Sequence, residues 1–195
     1  DGTIEYCKEQ GYPLYIQQKK GMRFAYAEVW DKITGDVVLT FSPDGNSIPE
    51  LIPQCIEKMK EGYDMVIVSR YKDGAKSQDD DTVTGFGNWV FTTMISICHG
   101  FHYTDAMVIY RAYKKLAYDL NLNDEKAYAV PEKLFNTRVS WEPLLSIRAA
   151  RQKLKIAEIP GDEPPRVAGK RKLQVFPWGA VFLYQNFREI FVKKY

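Results

Sequence analysis

Gly35-Asp36-Val37-Val38-Leu39-Thr40-Phe41-Ser42-Pro43-Asp44-Gly45-Asn46-Ser47 joins a β-branched, apolar run to a turn holding a carboxylate, a glycine and a carboxamide. An abrupt stop of this kind is how an open α/β sheet presents ligand-binding groups at the carboxyl end of a strand. Chemistry is therefore expected at Asp44 and Asn46.

Working outward, Lys19-Lys20-Gly21-Met22-Arg23 opens a predicted helix through Trp30 to Ile33, and Pro13 to Gln18 before it reads as a strand. Asp1 to Lys8 begins a short helix that Gly11 ends. After the turn, Pro49 to Pro53 starts a helix with Leu51, Ile52, Cys55, Ile56 and Met59 at helical spacing, stopped by Gly62. Asp64 to Tyr71 is almost continuously apolar, the pattern of a strand covered on both faces of a parallel sheet. Repeated strand, helix, strand predicts an α/β fold: a three-layer, mostly parallel sheet with helices on both faces.

Further along, Lys72 to Thr84, with Asp79-Asp80-Asp81, is expected to be a mobile, solvated loop, because adjacent carboxylates diverge. Phe86 to Phe101 reads as a buried helix. Tyr103 to Arg111 leads into a helix predicted from Lys114 to Leu120, and a second over Glu142 to Lys153 precedes a short strand, Lys155 to Pro160. Residues 1–175 form the predicted domain, and residues 176–195 an aromatic, basic-ended C-terminal helix or interfacial tail.

Composition narrows the classes. With 45% hydrophobic and 27% charged residues the chain is globular, and its 27 basic against 25 acidic residues leave a net charge of +2 that predicts no nucleic-acid partner. Cys7, Cys55 and Cys98 are odd in number and widely spaced, which argues for a reducing, cytoplasmic setting over a disulfide framework or zinc site. No apolar run approaches the roughly 20 residues that span a bilayer. The expectation is a protein that is soluble or peripheral at a membrane.

Several stretches together resemble family 2 glycosyltransferases of the GT-A fold, of the dolichyl-phosphate (polyprenyl-phosphate) mannosyltransferase type. Asp1-Gly2-Thr3 is similar to the end of an acidic signature after that fold's second strand. Asp44-Gly45-Asn46 with Pro49 to Pro53 stands where the family has its D-x-D motif and following helix. Glu61 to Asp64 with Val68 to Tyr71 is similar to the next strand, Thr104-Asp105 with Tyr110-Arg111 to the acceptor-side motif, and Glu158-Ile159-Pro160 with Arg166, Gly169 and Lys172 to the C-terminal basic loop.

The resemblance implies an inverting glycosyltransferase that moves a sugar from a nucleotide-sugar to a polyprenyl-phosphate or other glycan-pathway acceptor with a divalent metal, Mn or Mg. Two departures stand out. Asn46 replaces the second Asp of the metal motif, and the family's first two strands and their helix have no counterpart before Asp1. Without those strands, a gap is expected between the Leu14 and Val38 strands, closed by direct pairing or by homodimerisation. A non-catalytic, N-terminally truncated remnant that dimerises is the alternative.

Asp44 and Asn46 are the candidate metal ligands, two apart so that both can point into one site from a turn; the same residues also suit a helix cap. Arg23, with Lys19 and Lys20, offers a basic helix start for diphosphate or merely a solvated face. Arg70 ends a buried strand and either binds an anion or pairs with Asp79 to Asp81. Arg111, Arg166 and Lys172 are candidates for an acceptor phosphate, because Arg presents a planar fork. Asp105, with Glu142 behind it, is the candidate general base, although a phosphate acceptor is already an anion and needs none. The tail's Trp178, Phe182, Leu183, Phe187, Ile190 and Phe191 suit either a membrane interface or packing on the domain.

Overall fold

A computed structural model describes residues 2–115, 119–167 and 173–192. Four strands form one mixed sheet flanked by helices: β1 (Val37–Thr40), β2 (Met65–Ser69), β3 (Arg111–Lys114) and β4 (Ile156–Pro160), in the order β1-β3-β2-β4. β3 is antiparallel to both its neighbours, while β2 and β4 are parallel. β1, β2 and β4 therefore run in the same direction and end at one edge of the sheet. The α/β reading holds, with β3 as the single reversed strand.

The helices are α1 (Thr3–Glu9), α2 (Met22–Val29), α3 (Ile52–Lys60), α4 (Thr82–His99), α5 (Ala129–Phe135), α6 (Glu142–Arg151) and α7 (Val175–Phe191). Every residue of β2 is buried, as its unbroken apolar run demands. α3 turns Cys55 and Met59, four apart and so on one face, into the core, and Pro53 sits in its first turn, where a missing N–H costs nothing. α6 is buried from Glu142 to Ala150 and lies between α4, α7 and the sheet face that carries Arg111 and Tyr113. Trp141 meets Trp30 edge to face, and Trp30 stacks on Tyr113, so three large rings fill the space under β3.

Residues 13–18 are not a strand. Among the described residues the segment joins no ladder; its end is held instead by Glu28, which accepts from the Gln18 and Lys19 amides at 2.6 and 2.8 Å. A strand needs a ladder, and local β propensity supplies none. The expected gap between two strands therefore has no counterpart, and β1 is one of the two outer strands of the described sheet. Lys114 closes β3 rather than opening a helix, residues 119–123 form turns, and residues 116–118 lie outside the described residues.

The acidic run is not a solvated loop. Asp81 caps α4 by accepting from the Thr84 amide at 2.8 Å, while Asp79 and Asp80 pair with arginines. α4 is only half-buried: Val83, Phe86, Trp89 and Ile97 are exposed. α7 packs on the domain, with Val181, Gln185, Asn186 and Glu189 turned inward.

Candidate active site

The loops that leave the carboxyl ends of β1, β2 and β4 meet at one edge of the sheet, joined by the loop that enters the reversed strand β3. This convergence follows from strand direction alone: three parallel strands place their following loops on the same side. The β1 loop supplies Asp44 and Asn46, the β2 loop Arg70 and Asp79 to Asp81, the β4 loop Glu163 and Arg166, and the segment before β3 supplies Thr104 and Asp105. Asn46, Arg70, Tyr110, Gly161 and Glu163 line a cleft between them.

Asp44 is fixed from three directions. Its Oδ1 accepts from Ser42 Oγ at 2.7 Å, its Oδ2 lies 2.5 Å from Arg166 Nη1, and its carbonyl accepts from the Val167 amide at 3.3 Å. Arg166 Nε reaches Asp79 at 3.1 Å. Gly45 between the two candidate ligands has φ +85°, and a Cβ there would collide with Val167, so the β4 loop lies directly on the turn.

Arg70 is the hub of the site. Its Nε and Nη2 form a fork on Asp105 at 2.7 and 3.2 Å, and its Nη1 faces Glu163 at 3.1 Å and Asp80 at 3.5 Å. Asp105 is completely buried and also accepts from Asn88 Nδ2 at 3.2 Å. Burial alone would raise its carboxyl pKa, but the Arg70 charge and hydrogen bonds outweigh that and hold it below the usual carboxylate range. The same partners hold the Arg70 guanidinium charged although burial opposes it.

The turn after β1 offers donor atoms suited to a divalent cation. Asn46 is buried, its Nδ2 donates to Glu163 at 3.3 Å, and among the described residues its Oδ1 has no hydrogen-bond partner. Such an orphaned hard oxygen beside Asp44 suits a cation. Asp44, Asp79, Asp80, Asp105 and Glu163 also outnumber Arg70 and Arg166 in the described site. Among the described residues no three His, Cys, Asp or Glu side chains are grouped to hold a metal unaided. The donor set fits the open mode in which one or two protein oxygens share a cation with substrate phosphates.

Of the residues singled out from the sequence, Asp44, Asn46, Arg70, Asp105 and Arg166 are brought together. Arg23 is not among them: it is buried against the Tyr128 ring and paired with Glu132 of α5 at 2.8 Å, whereas Lys19 and Lys20 of the same helix start remain exposed. Arg111 is 0% exposed and donates to the Val108 carbonyl through Nε at 2.9 Å and to Ser146 Oγ at 3.0 Å, which braces the chain entering β3 instead of facing a ligand. Glu142 is likewise 0% exposed and accepts from the Tyr26 hydroxyl at 3.1 Å, inside the core behind β3. Lys172 lies outside the described residues. Glu163 and Asn88 were not singled out, although Glu163 lies next to the Glu158-Ile159-Pro160 stretch; Asp79 to Asp81 were named as possible partners of Arg70, and Asp80 does pair with it at 3.5 Å.

The strand ends of this α/β sheet thus gather carboxylates, a carboxamide and Arg70 around a cleft, with Arg166 paired to Asp44 beside it. The sequence model for glycosyl transferase family 2 matches residues 1–120, and the chain belongs to that family of glycosyltransferases. A dolichyl-phosphate hexose transferase of Haloferax volcanii is 28% identical over 181 residues, 92% of this chain and 72% of that protein. A dolichol-phosphate mannosyltransferase of Pyrococcus furiosus is 34% identical over 84 residues, 40% of this chain and 24% of that protein. An undecaprenyl-phosphate 4-deoxy-4-formamido-L-arabinose transferase of Klebsiella pneumoniae is 26% identical over 119 residues, 60% of this chain. The chain thus spans most of the first protein but only 24% and 35% of the other two.

Proposed function

We propose that the chain is an inverting glycosyltransferase that moves a sugar from a nucleotide-sugar to a polyprenyl-phosphate acceptor. The observation that carries this reading is that Asn46 and Arg70 line one cleft at the strand ends of a family 2 chain, with Asp44, two residues before Asn46, paired to Arg166 beside it. Asp44 and Asn46 Oδ1 would hold the cation. A divalent cation, Mn or Mg, supplies Lewis-acid neutralisation of the leaving diphosphate when bound. Arg70 Nη1 and the Arg166 guanidinium meet phosphate oxygens, exchanging their present carboxylate partners for substrate.

The state of Asp105 favours the lipid-phosphate acceptor. Its oxygens are committed to Arg70, Asn88 and the Met107 amide, and none is exposed to take a proton from a hydroxyl. A phosphate acceptor is already an anion and attacks the anomeric carbon without a base; one displacement from the face opposite the diphosphate inverts that carbon. The relatives' names, dolichyl-, dolichol- and undecaprenyl-phosphate transferases, support the same acceptor class.

Peripheral membrane contact fits an acceptor of that class. Among the described residues no helix is long and apolar enough to cross a membrane. α4 carries no Asp, Glu, Lys or Arg and exposes Phe86 and Trp89, while α7 beside it exposes Phe176 (86%), Phe187 and Phe191. Liposome flotation tests the contact: Phe176→Ser with Phe187→Ser is expected to reduce co-flotation, and equal flotation would remove it.

Calorimetric titration with nucleoside diphosphates and manganese tests the function. Binding that disappears in Asp44→Ala supports the enzyme, and no binding to any nucleotide overturns it. That negative result would favour a non-catalytic chain. A homodimer in that case could pair through β1, one of the two outer strands of the described sheet.

A further inference from the structure

Thr104 and Asp105 lie in irregular backbone between α4 and β3, so no ladder or helix fixes their direction. Glu158 does so from β4. Its Oε1 accepts from the Asp105 amide at 3.0 Å and the Thr104 amide at 3.0 Å, and its Oε2 accepts from the Thr104 amide at 2.9 Å and Thr104 Oγ1 at 2.8 Å. Ser69 Oγ, at the end of β2, meets Thr104 Oγ1 at 2.6 Å. Glu158 shares a sheet face with the buried Ile156, two residues away, where an apolar side chain would serve packing alone. A carboxylate placed there gathers two consecutive backbone N–H groups, as an anion does in a backbone nest.

The turn it fixes aims Asp105, and Asp105 in turn takes Nε and Nη2 of Arg70, leaving Nη1 directed into the cleft at Glu163. We infer that Glu158 is a positioning residue for the transfer reaction: acting through Thr104 and Asp105, it holds Arg70 with Nη1 facing the place a substrate phosphate oxygen takes from Glu163. This rests on the reading of Arg70 as an anion-binding residue. Glu158 itself touches no ligand. A side chain that merely stabilised the sheet would have no effect specific to Arg70, and this separates the two roles.

The test is a double-substitution cycle read by calorimetry with inorganic pyrophosphate and manganese as the probe. Glu158→Ala is expected to weaken pyrophosphate binding about tenfold, in line with the usual loss on removing an outer-shell partner. Glu158→Gln, which keeps one acceptor oxygen, should recover part of that loss. In an Arg70→Ala background Glu158→Ala should weaken binding no further; full additivity would overturn the inference. The Arg70 Nε–H resonance, assigned by its loss in Arg70→Ala, supplies a second measurement independent of binding. It should shift or broaden in Glu158→Ala at a temperature where the variant remains folded, and an unchanged resonance overturns the relay. Failure of the unsubstituted chain to bind pyrophosphate would instead remove the anion-binding reading, with the resonance still deciding whether Glu158 sets Arg70.

Discussion

Arg166 Nη1 lies 2.5 Å from Asp44 Oδ2, so a guanidinium stands where a cation held by Asp44, as proposed, would contact that carboxylate. The two are mutually exclusive partners for that oxygen. Both side chains are about a quarter exposed, so the pair is screened and weak enough to exchange. Binding of a cation with its diphosphate would free Arg166 for a phosphate and release the β4 loop from the turn. On the proposed reading, this charge exchange would couple the loop to the ligand.

Arg166→Gln should therefore tighten manganese binding measured without any phosphate. Removal of an exposed pair worth about 0.5–1 kcal/mol corresponds to a gain of roughly two- to fivefold. Manganese electron paramagnetic resonance titration reads the free ion directly. Unchanged or weaker binding would show that Arg166 does not compete for Asp44.

Asp105→Asn addresses the buried fork. Removing its charge leaves Arg70 with Glu163 and Asp80 as its carboxylate partners, so the variant should lose about 1–3 kcal/mol in urea unfolding at pH 7. The pH dependence has a definite sign. The folded-state carboxyl sits below its ordinary value of 3.8, so on acidification the unfolded chain takes up the proton first. The stabilisation is complete above that ordinary value and is lost as pH falls through the lower folded value. Asp105→Asn should flatten this part of the acid limb, and parallel acid limbs in the two proteins would contradict the assignment.

The strand ends were legible in the sequence because their signals are local: the apolar run stopping at Asp44, the continuous apolar run before Arg70, and the Pro-started helix between them. What stayed hidden depends on long-range geometry. Pro13 to Gln18 has strand composition but finds no ladder, and of the basic helix start only Arg23 turns inward, against the Tyr128 ring and onto Glu132, more than a hundred residues later, while Lys19 and Lys20 stay exposed. The roles of Arg111 and Glu142 follow from burial, which residue type does not report. Asp105 was legible as important, but its engagement by Arg70 and Asn88 was not, since charge pairs across 35 and 17 residues leave no periodic trace.

Gly45→Ala probes the contact between the metal turn and the β4 loop. An L side chain at φ +85° costs about 1–2 kcal/mol through backbone strain, and its Cβ also meets Val167. Gly74→Ala at φ +88° carries the strain with no neighbour within 4 Å. Gly45→Ala should therefore lower the thermal midpoint further than Gly74→Ala, and adding Val167→Ala should close the difference. Equal midpoints for the two single variants would mean that the β4 loop yields freely.

Glu189→Ala tests how α7 is held, which bears on the membrane contact. Glu189 and Arg148 are both 0% exposed and meet at 2.7 Å, and Arg148 also pairs with Asp124 at 3.1 Å, tying α7 to α6 and to the turn before α5. Arg188, at first sight a basic residue for lipid headgroups, is drawn into the same network by Asp124 and Glu189. Removing Glu189 leaves buried Arg148 with Asp124 as its carboxylate partner beside the Leu120 and Asn121 carbonyls, so unfolding free energy should fall by about 3 kcal/mol. Deleting the whole tail would therefore confuse unfolding with loss of lipid contact. The outward Phe176 and Phe187 substitutions should lower flotation and leave the unfolding midpoint within about 0.5 kcal/mol of the parent, because they leave the Arg148–Glu189 pair intact. A loss of stability in those variants as large as in Glu189→Ala would show that the exposed aromatics serve packing rather than a lipid surface.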